Sequence, residues 1–219
     1  LLFVVSQGHF IVLEGIDGSG TTTQCHQLAD YLRNAGIPFI LTREPGGTPA
    51  AEKIRDLVLD PALGDISHTA ELFLYAASRA QHVEELIRPA LDRGDVVICD
   101  RYIASSLAYQ GYGRGLDLDT IRQVNMLAVI GCMPDLTIYL DLPLAVARAR
   151  RDTRGEVADR LEKAGESLQE KVARGYREIA KGDHTALVFD ARQKEARLAG
   201  NIRDALHKQW PWFPAEENE

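Results

Sequence analysis

The chain has 219 residues, of which 45% are hydrophobic and 26% are charged, and these proportions are typical of one globular domain with a full core. The net charge of −7 argues against a general nucleic-acid binder, because such proteins meet phosphates with a basic surface. Three widely spaced cysteines without a Cys-x-x-Cys pair predict reduced, buried thiols. Because no apolar run approaches the length of a membrane span, we expect a cytoplasmic protein with neither membrane nor nucleic-acid partners.

The chain is expected to divide into three segments. Residues 1–8 are apolar but lack the basic start of a signal peptide, so they are predicted to be an N-terminal extension. Residues 9–209 are predicted to form a single domain, since no linker or repeat divides them. From Trp210 onward, two prolines and three glutamates predict a loose tail over residues 210–219.

Short apolar runs that suit strands alternate with patterns that suit helices. This alternation predicts an α/β fold in which a five-stranded parallel sheet carries helices on both faces. Right-handed crossovers then place the functional loops at the carboxyl edge of the sheet. The strands are predicted at residues 10–13, 38–42, 96–99, 136–140 and 186–189, and the helices at 21–35, 49–60, 69–92, 117–132, from 143 into an arginine-rich stretch, 165–181 and 194–209.

Some of these helices are more apolar than a single buried stripe requires. Residues 72–77 are apolar almost all round and are predicted to be deeply buried. Asp117 or Asp119 is predicted to start the next helix, with Val124 and Leu127 facing the core. The excess of apolar surface fits an interface in a homodimer, and a thick core is the alternative.

A glycine-rich loop follows the first predicted strand and precedes the first predicted helix. Gly15 and Gly20 match the pattern G-x-x-x-x-G-K-S/T, and Thr22 occupies the position whose hydroxyl binds magnesium. The lysine position is occupied by Thr21. In such a loop, successive N–H groups and the N-terminus of the following helix bind phosphate. A turn with a purely structural purpose is the alternative.

Asp100 and Arg101 follow the third predicted strand and are expected beside this loop. A carboxylate there can hold Mg²⁺, directly or through water, and an arginine can bind a phosphate through two N–H groups. The alternative is an ion pair at the end of a surface strand.

Several motifs occur in a characteristic order. They are the glycine-rich loop, Arg43-Glu-Pro-Gly-Gly-Thr48, Tyr75-Ala-Ala-Ser-Arg-Ala-Gln-His82, Asp100-Arg-Tyr102, residues 105–111 and Asp159-Arg-Leu-Glu162. Over roughly residues 9–206, the chain resembles bacterial thymidylate kinases. The resemblance implies a nucleotide kinase of the P-loop NTPase fold, usually a homodimer, with a lid at about residues 148–160. It also implies transfer of the γ-phosphoryl group of ATP, with Mg²⁺, to dTMP in dTTP biosynthesis.

The resemblance implies site residues, position by position. The ATP-binding residues would be Gly15, Ile16, Asp17, Gly18, Ser19, Gly20, Thr21, Thr22, Thr23, Arg150, Arg154 and Arg192. The dTMP-binding residues would be Asp17, Arg43, Glu44, Tyr75, Arg79, Arg101, Ser105, Tyr109, Gln110 and Arg160. The metal would lie at Thr22 and Asp100, and the catalytic residues would be Asp17, Asp100, Arg101, Arg150 and Arg154.

Three positions depart from the family pattern: Thr21 replaces lysine, Ser78 replaces aspartate and Tyr75 replaces phenylalanine. A cation about 4 Å from the phosphate contributes roughly 4 kcal/mol, so its loss would slow transfer about a thousandfold. We expect the lid arginines Arg150 and Arg154 to supply this charge. The alternatives are a nucleotide-binding pseudokinase or sensor with weak transfer, and a related kinase with another acceptor.

Overall fold

A sheet of five parallel strands forms the centre of the computed structural model, which describes residues 8–154, 160–161 and 165–214, and of Arg154 only the backbone. The strands are β1 (His9–Gly15), β2 (Phe39–Arg43), β3 (Val96–Asp100), β4 (Leu136–Asp141) and β5 (Ala186–Asp190). Their order in the sheet is β2-β3-β1-β4-β5. The predicted five-stranded parallel sheet is therefore confirmed, with β1 at its centre.

The helices lie between and after the strands. They are α1 (Thr21–Asn34), α2 (Pro49–Leu59), α3 (His68–His82), α4 (Arg88–Asp92), α5 (Ile103–Ser106), α6 (Leu118–Val129), α7 (Leu144–Arg154), α8 (Glu166–Gly182) and α9 (Glu195–Gln209). Two π-helical segments, Val83–Ile87 and Leu107–Gly113, and a 3-10 turn, Pro61–Leu63, complete the described elements. Among the described helices, none is long and apolar enough to cross a membrane.

The sequence accounts for several helix ends. The Thr48 hydroxyl accepts a hydrogen bond from the Ala51 N–H at 3.4 Å, and Pro49 takes the first position of α2, where no N–H is needed. Asp117, not Asp119, caps α6, since its carboxylate accepts from the Thr120 N–H at 2.8 Å. Side-chain capping therefore fixes the start of both helices.

Successive residues of β1 point to opposite faces of the sheet. Ile11 and Leu13 join a core cluster with residues of α1, α8 and α9, whereas Phe10 and Val12 join a second cluster with residues of α4 and of the π-helical segment before it. All four side chains are completely buried. Helices therefore cover both faces of the central strand.

The predicted helix over 69–92 is one continuous helical run, but its regular α-helical part ends at His82. A π-helical segment joins α3 to α4, and Pro89 lies at the start of α4. Proline has no N–H to donate to the preceding turn, which accounts for the departure from regular α-helical geometry near this point.

The predicted burial of two helices is wrong in detail. Phe73 is 56% exposed, and α3 instead turns Glu71 and Arg79 inward. In α6, Leu127 is 80% exposed whereas Asn125 is fully buried. These helices bury a polar face because their polar side chains bond to one another inside the protein, as described below.

The predicted loose tail is wrong for residues 210–214. The rings of Trp210 and Trp212 lie on His9, with centroid distances of 4.7 and 4.5 Å. Phe213 is 1% exposed, and the Tyr31 hydroxyl donates to the Pro214 carbonyl at 3.1 Å. Burial of large aromatic surfaces outweighs the polar, proline-containing composition of this segment. Residues 215–219 lie outside the described residues.

Replacing Phe213 by alanine is expected to lower the free energy of unfolding by about 3–5 kcal/mol, because it leaves a ring-sized cavity in the core. Chemical denaturation followed by circular dichroism measures the change. Val188→Ala, at a side chain that is 58% exposed, is the control and should change stability little. A loss below about 1 kcal/mol for Phe213→Ala would show that the segment contributes little to the core.

Candidate active site

The glycine-rich loop runs from the end of β1 at Gly15 to the start of α1 at Thr21. Gly18 and Gly20 have φ angles of +90° and +96°, which glycine adopts without a steric cost. A Cβ atom on Gly18 would lie 2.6 Å from the Ala147 carbonyl oxygen, so the loop packs directly on α7. The glycines are thus needed both for the curl of the backbone and for its close approach to α7.

The loop presents unsatisfied polar groups at the N-terminus of α1. No side chain caps this helix, so the N–H groups of its first turn are available to an anion. The Ser19 hydroxyl oxygen is buried and has no hydrogen-bond partner among the described residues. Both features suit a site that a phosphate group completes.

Thr22 and Asp100, the predicted metal residues, lie in direct contact. The Thr22 hydroxyl donates to Oδ2 of Asp100, whereas Oδ1 is buried without a hydrogen-bond partner in the described part of the chain. The described residues contain no group of three His, Cys, Asp or Glu side chains that could hold a metal alone. An unpartnered carboxylate oxygen beside a hydroxyl fits Mg²⁺, which is usually bound by one or two protein ligands plus substrate phosphates.

A cavity of about 250 Å³ opens on one side of the loop. Its wall includes all of the predicted dTMP-binding residues except Arg160, and also both predicted metal residues. These residues are Asp17, Arg43, Glu44, Tyr75, Arg79, Arg101, Ser105, Tyr109 and Gln110, and Thr21, Thr22 and Asp100 lie in the same wall. The structure therefore brings together residues that are far apart in the sequence.

Arg101 and Asp17 form an ion pair in the wall of this cavity. Arg101 Nη2 lies 2.6 Å from Asp17 Oδ1, and the Tyr109 hydroxyl donates to Asp17 Oδ2 at 2.6 Å. Arg101 has a φ angle of +73°, a strained value for a residue with a side chain, and its N–H donates to the Leu13 carbonyl at 2.9 Å. Arg101 is thus fixed at both its backbone and its guanidinium.

Arg79 is part of the cavity wall, and most of its guanidinium is bonded to other protein groups. It is 2% exposed, and its Nε donates to Glu44 at 2.6 Å. Its two Nη atoms donate to the Ser106 hydroxyl at 2.9 Å, to the Asn125 side chain and to the Tyr102 carbonyl at 2.8 Å. These bonds occupy four of the five guanidinium N–H groups, which leaves one for a ligand.

The same polar network continues beneath the Arg43–Thr48 segment. Glu44 Oε1 lies 3.1 Å from His82 Nδ1, and His82 Nε2 lies 2.7 Å from the Thr42 hydroxyl. Gly46 N–H donates to the Ser78 hydroxyl at 3.2 Å. Ser78, the position that departs from the family aspartate, therefore supports the loop and is fully buried.

Glu71 organises a second part of the wall. It accepts from Gln110 at 2.9 Å and also from Arg114 and Arg160. Burial alone would raise the pKa of Glu71, but the bonds from Gln110, Arg160 and Arg114 hold it below its usual value, so the carboxylate stays ionised. Arg160 also donates to the Val58 carbonyl at 2.8 Å, and these contacts hold it outside the cavity.

A second cavity, of about 230 Å³, lies on the other side of the loop. Its wall includes Gly18, Ser19, Gly20, Thr23 and Arg150, together with Gln24, Ala191, Gln193, Glu195 and Leu198. Arg150 donates to the carbonyls of Ala191 at 2.8 Å and Gly18 at 3.4 Å, which places its charge against the loop. Arg151 donates to the Asp17 carbonyl at 3.1 Å.

Six of the predicted ATP-site residues do not line this cavity: Gly15, Ile16, Arg192, and Asp17, Thr21 and Thr22, the last three of which line the first cavity instead. Ile16 is a loop residue whose side chain is buried in the core, so only its backbone is left for a ligand. Arg192 is 65% exposed and pairs with Asp190 at 2.7 Å, outside both cavities. Its hydrogen bonds lower the pKa of Asp190 to about 2. The Arg154 side chain, like the motif residues Asp159 and Glu162, lies outside the described part of the chain.

Several residues in or behind these walls were not predicted from the sequence. Arg55 lines the first cavity and donates to the Pro45 carbonyl at 2.8 Å. Glu14 and Tyr176 lie behind Arg101, and Gln193 and Glu195 line the second cavity. Glu14 directly precedes the loop, and a polar residue at the end of a buried strand was a usable signal. Tyr176 gave none, since its helical spacing is that of a core residue.

Comparisons with known proteins agree with the motifs. The family model described as thymidylate kinase matches residues 13–202. The thymidylate kinase of Syntrophotalea carbinolica is 46% identical over 92% of this chain and 93% of the relative, and that of Deinococcus radiodurans is 46% identical over 94% and 99%. The crystal structure of thymidylate kinase from Ehrlichia chaffeensis has a TM-score of 0.75 and 35% identity, covering 92% of this chain and 99% of that one. The chain therefore belongs to the thymidylate kinase family.

Proposed function

We propose that the chain transfers the γ-phosphoryl group of ATP to dTMP, with dTMP in the first cavity and ATP in the second. The observation that carries this proposal is the position of the loop between them, since Gly18 and Gly20 line both cavities. Two nucleotides bound there would meet at the N-terminus of α1. Phosphoryl transfer is catalysed mainly by such positioning and by charges placed on the phosphate oxygens.

In the first cavity, which would hold the acceptor dTMP and is therefore named the acceptor cavity, Arg101 binds the phosphate of dTMP, with Arg43 and Arg55 at the rim. Tyr75 stacks on thymine, and the remaining N–H of Arg79 and the Gln110 amide meet its polar edge. Support comes from the position of all these side chains on one cavity wall. Ser105 lies at the same wall near Arg101, and Glu44 holds Arg79 in place.

Tyr109 gives the cavity its preference for a deoxynucleotide. Its hydroxyl is fixed by Asp17 at 2.6 Å, and its ring is 4% exposed, so it cannot withdraw from the sugar. A ribose 2′-hydroxyl would need space that this ring occupies, which is a repulsive form of specificity.

Thr22 and Asp100 are the residues that would hold Mg²⁺ with ATP. When bound, the ion neutralises charge on the phosphate oxygens. The fit rests on the unpartnered Oδ1 of Asp100. Thr22, at the N-terminus of α1, and Asp100, at the end of β3, both line the first cavity, beside the loop that separates it from the second.

Arg150 supplies the positive charge that is missing because position 21 holds threonine and not lysine. Thr21 is polar but uncharged, and it is 5% exposed. Arg150 reaches the loop from α7, where its Nη1 lies 3.4 Å from the Gly18 carbonyl oxygen. A cation at about 4 Å from the phosphate is worth roughly 4 kcal/mol. Arg154, one turn further along α7, is proposed to share this role.

The activity is tested by ADP release in a coupled assay with dTMP and MgATP, in the wild type and in Thr21→Lys. We expect dTMP to be preferred over dUMP, dCMP and UMP, and the added lysine to raise kcat less than about tenfold, because Arg150 already supplies the charge. A gain near a thousandfold would instead identify a weakly active, nucleotide-binding pseudokinase. Preference for another monophosphate would identify a related kinase with a different acceptor.

Replacing Arg150 by alanine is expected to lower kcat about 100- to 1000-fold, since a charge on the transferred phosphate is lost. Steady-state kinetics measure the change. Arg148→Ala is the matched control, because Arg148 lies on the same helix, is 63% exposed and pairs with Glu166 at 3.6 Å. Near-normal turnover of Arg150→Ala would contradict the compensation by Arg150.

A homodimer is proposed from the exposed apolar face of α3 and α6. Phe73, Leu127 and Ile130 are 56%, 80% and 63% exposed, and Met126 and Met133 lie beside them in sequence with 48% each. Large apolar side chains grouped on neighbouring helices usually mark an interface. A second copy related by a two-fold axis would cover this face with the same face.

Replacing Leu127 by glutamate is expected to dissociate this dimer, because the substitution places charges at an apolar interface. Sedimentation at micromolar concentration should show twice the mass of the chain for the wild type and one chain mass for the variant. Leu63→Glu, at another exposed leucine, is the control. A wild-type monomer would contradict the proposed dimer.

A further inference from the structure

A buried carboxylate lies behind the acceptor cavity without a role in the reaction described so far. Glu14 is completely buried at the end of β1. Its Oε1 accepts from the backbone N–H groups of Tyr102 at 2.8 Å and Ser105 at 3.2 Å. Its Oε2 accepts from the hydroxyls of Ser105 at 2.7 Å and Tyr176 at 3.2 Å. Four donors therefore converge on this one group.

Tyr176 connects this carboxylate to the cavity. Its hydroxyl accepts from Arg101 Nη1 at 2.9 Å and lies 2.8 Å from the Ser105 hydroxyl. An arginine can only donate and an ionised carboxylate can only accept. The Tyr176 oxygen must therefore accept from Arg101, and its proton points away from the arginine toward Glu14, either directly or through the Ser105 hydroxyl.

Three partners hold the Arg101 guanidinium, and Tyr176 is one of them. Arg101 Nη1 also donates to the Gly15 carbonyl at 2.5 Å, and Arg101 Nη2 binds Asp17 at 2.6 Å. Asp17 lies in the loop and is itself partly exposed, whereas Tyr176 is 6% exposed within the core. The bond that Arg101 donates to Tyr176 thus ties the guanidinium to the buried core.

We propose that Glu14 and Tyr176 are positioning residues, which orient the Arg101 guanidinium for the phosphate of the acceptor nucleotide. The carboxylate fixes the direction of the Tyr176 hydroxyl, and the hydroxyl fixes Arg101. This inference rests on the proposed role of Arg101 at the dTMP phosphate. It adds two residues that lie behind the cavity wall and touch no substrate.

Tyr176→Phe tests the proposal, because it removes one oxygen atom and keeps the packed ring. Loss of a hydrogen bond to a charged group should weaken dTMP binding about 10- to 100-fold. Thymidine, which lacks the phosphate, should bind the variant and the wild type equally well, and the KM for ATP should not change. Isothermal calorimetry with dTMP and thymidine measures the affinities. A merely structural role would weaken both ligands alike.

Tyr139→Phe is the matched control. Tyr139 is also buried, at 4% exposure, but its hydroxyl donates to Asp183 at 2.9 Å and has no contact with Arg101. Its removal should leave both affinities unchanged. Glu14→Gln is a second variant, since its amide N–H₂ would face groups that already donate. It should reproduce the selective loss of dTMP affinity.

Arg101→Ala, alone and combined with Tyr176→Phe, shows whether a negative result contradicts the role of Arg101 or only the positioning role of Tyr176. Arg101→Ala should weaken dTMP but not thymidine; if it does not, the proposed role of Arg101 is wrong. With that loss established, Tyr176→Phe should have no further effect in the Arg101→Ala background. An undiminished effect there, or an equal loss of thymidine affinity in Tyr176→Phe, would overturn the positioning role alone.

Discussion

The parallel pairing of β1 with β3 is the constraint on which the rest of the site depends. In this register Leu13 lies opposite Asp100, and Arg101, the residue that follows β3, donates its backbone N–H to the Leu13 carbonyl. The glycine-rich loop and the Asp100–Arg101 pair therefore leave the sheet side by side. The contacts of Thr22 with Asp100 and of Asp17 with Arg101 follow from this adjacency.

Buried polar groups shape the cavity around this pair. Burying a charge is costly unless the charge is paired and hydrogen-bonded. Arg79 and Glu71 meet this requirement, since each is surrounded by several hydrogen-bond partners. Each of these two ions organises one part of the wall. Such walls are rigid, since a shift of one member leaves the others unsatisfied. Rigid walls suit an enzyme whose catalysis is chiefly positioning.

The parts of the fold that depend on local sequence were predictable. The apolar run of β1, the glycines after it and the cap at Thr48 each specify structure within a few residues, and the structure has them where they were expected. The parts that depend on distant partners were not. Leu127 looked like a core residue by spacing alone, and Phe213 looked like part of a tail by composition alone.

The candidate site, too, has parts that local sequence predicts and parts that depend on distant partners. Motif order brought out the residues that line the acceptor cavity, because each motif is a short local signal. It could not show that Arg160 is drawn to Glu71, that Arg192 turns to Asp190, or that Arg79 is largely occupied by its neighbours. The partner that each arginine binds depends on which acceptor is closest in the folded protein, and the spacing of residues in the sequence does not indicate this.

The aromatic contacts of His9 have a consequence for spectroscopy. The chain has two tryptophans, and both lie against this histidine at the amino end of β1, the edge of the sheet opposite the glycine-rich loop. Intrinsic tryptophan fluorescence therefore reports the contact of residues 210–214 with the start of β1. We expect this fluorescence to change little when nucleotides bind beside the glycine-rich loop, at the opposite edge of the sheet. Their binding is better followed with an introduced or ligand-borne fluorophore.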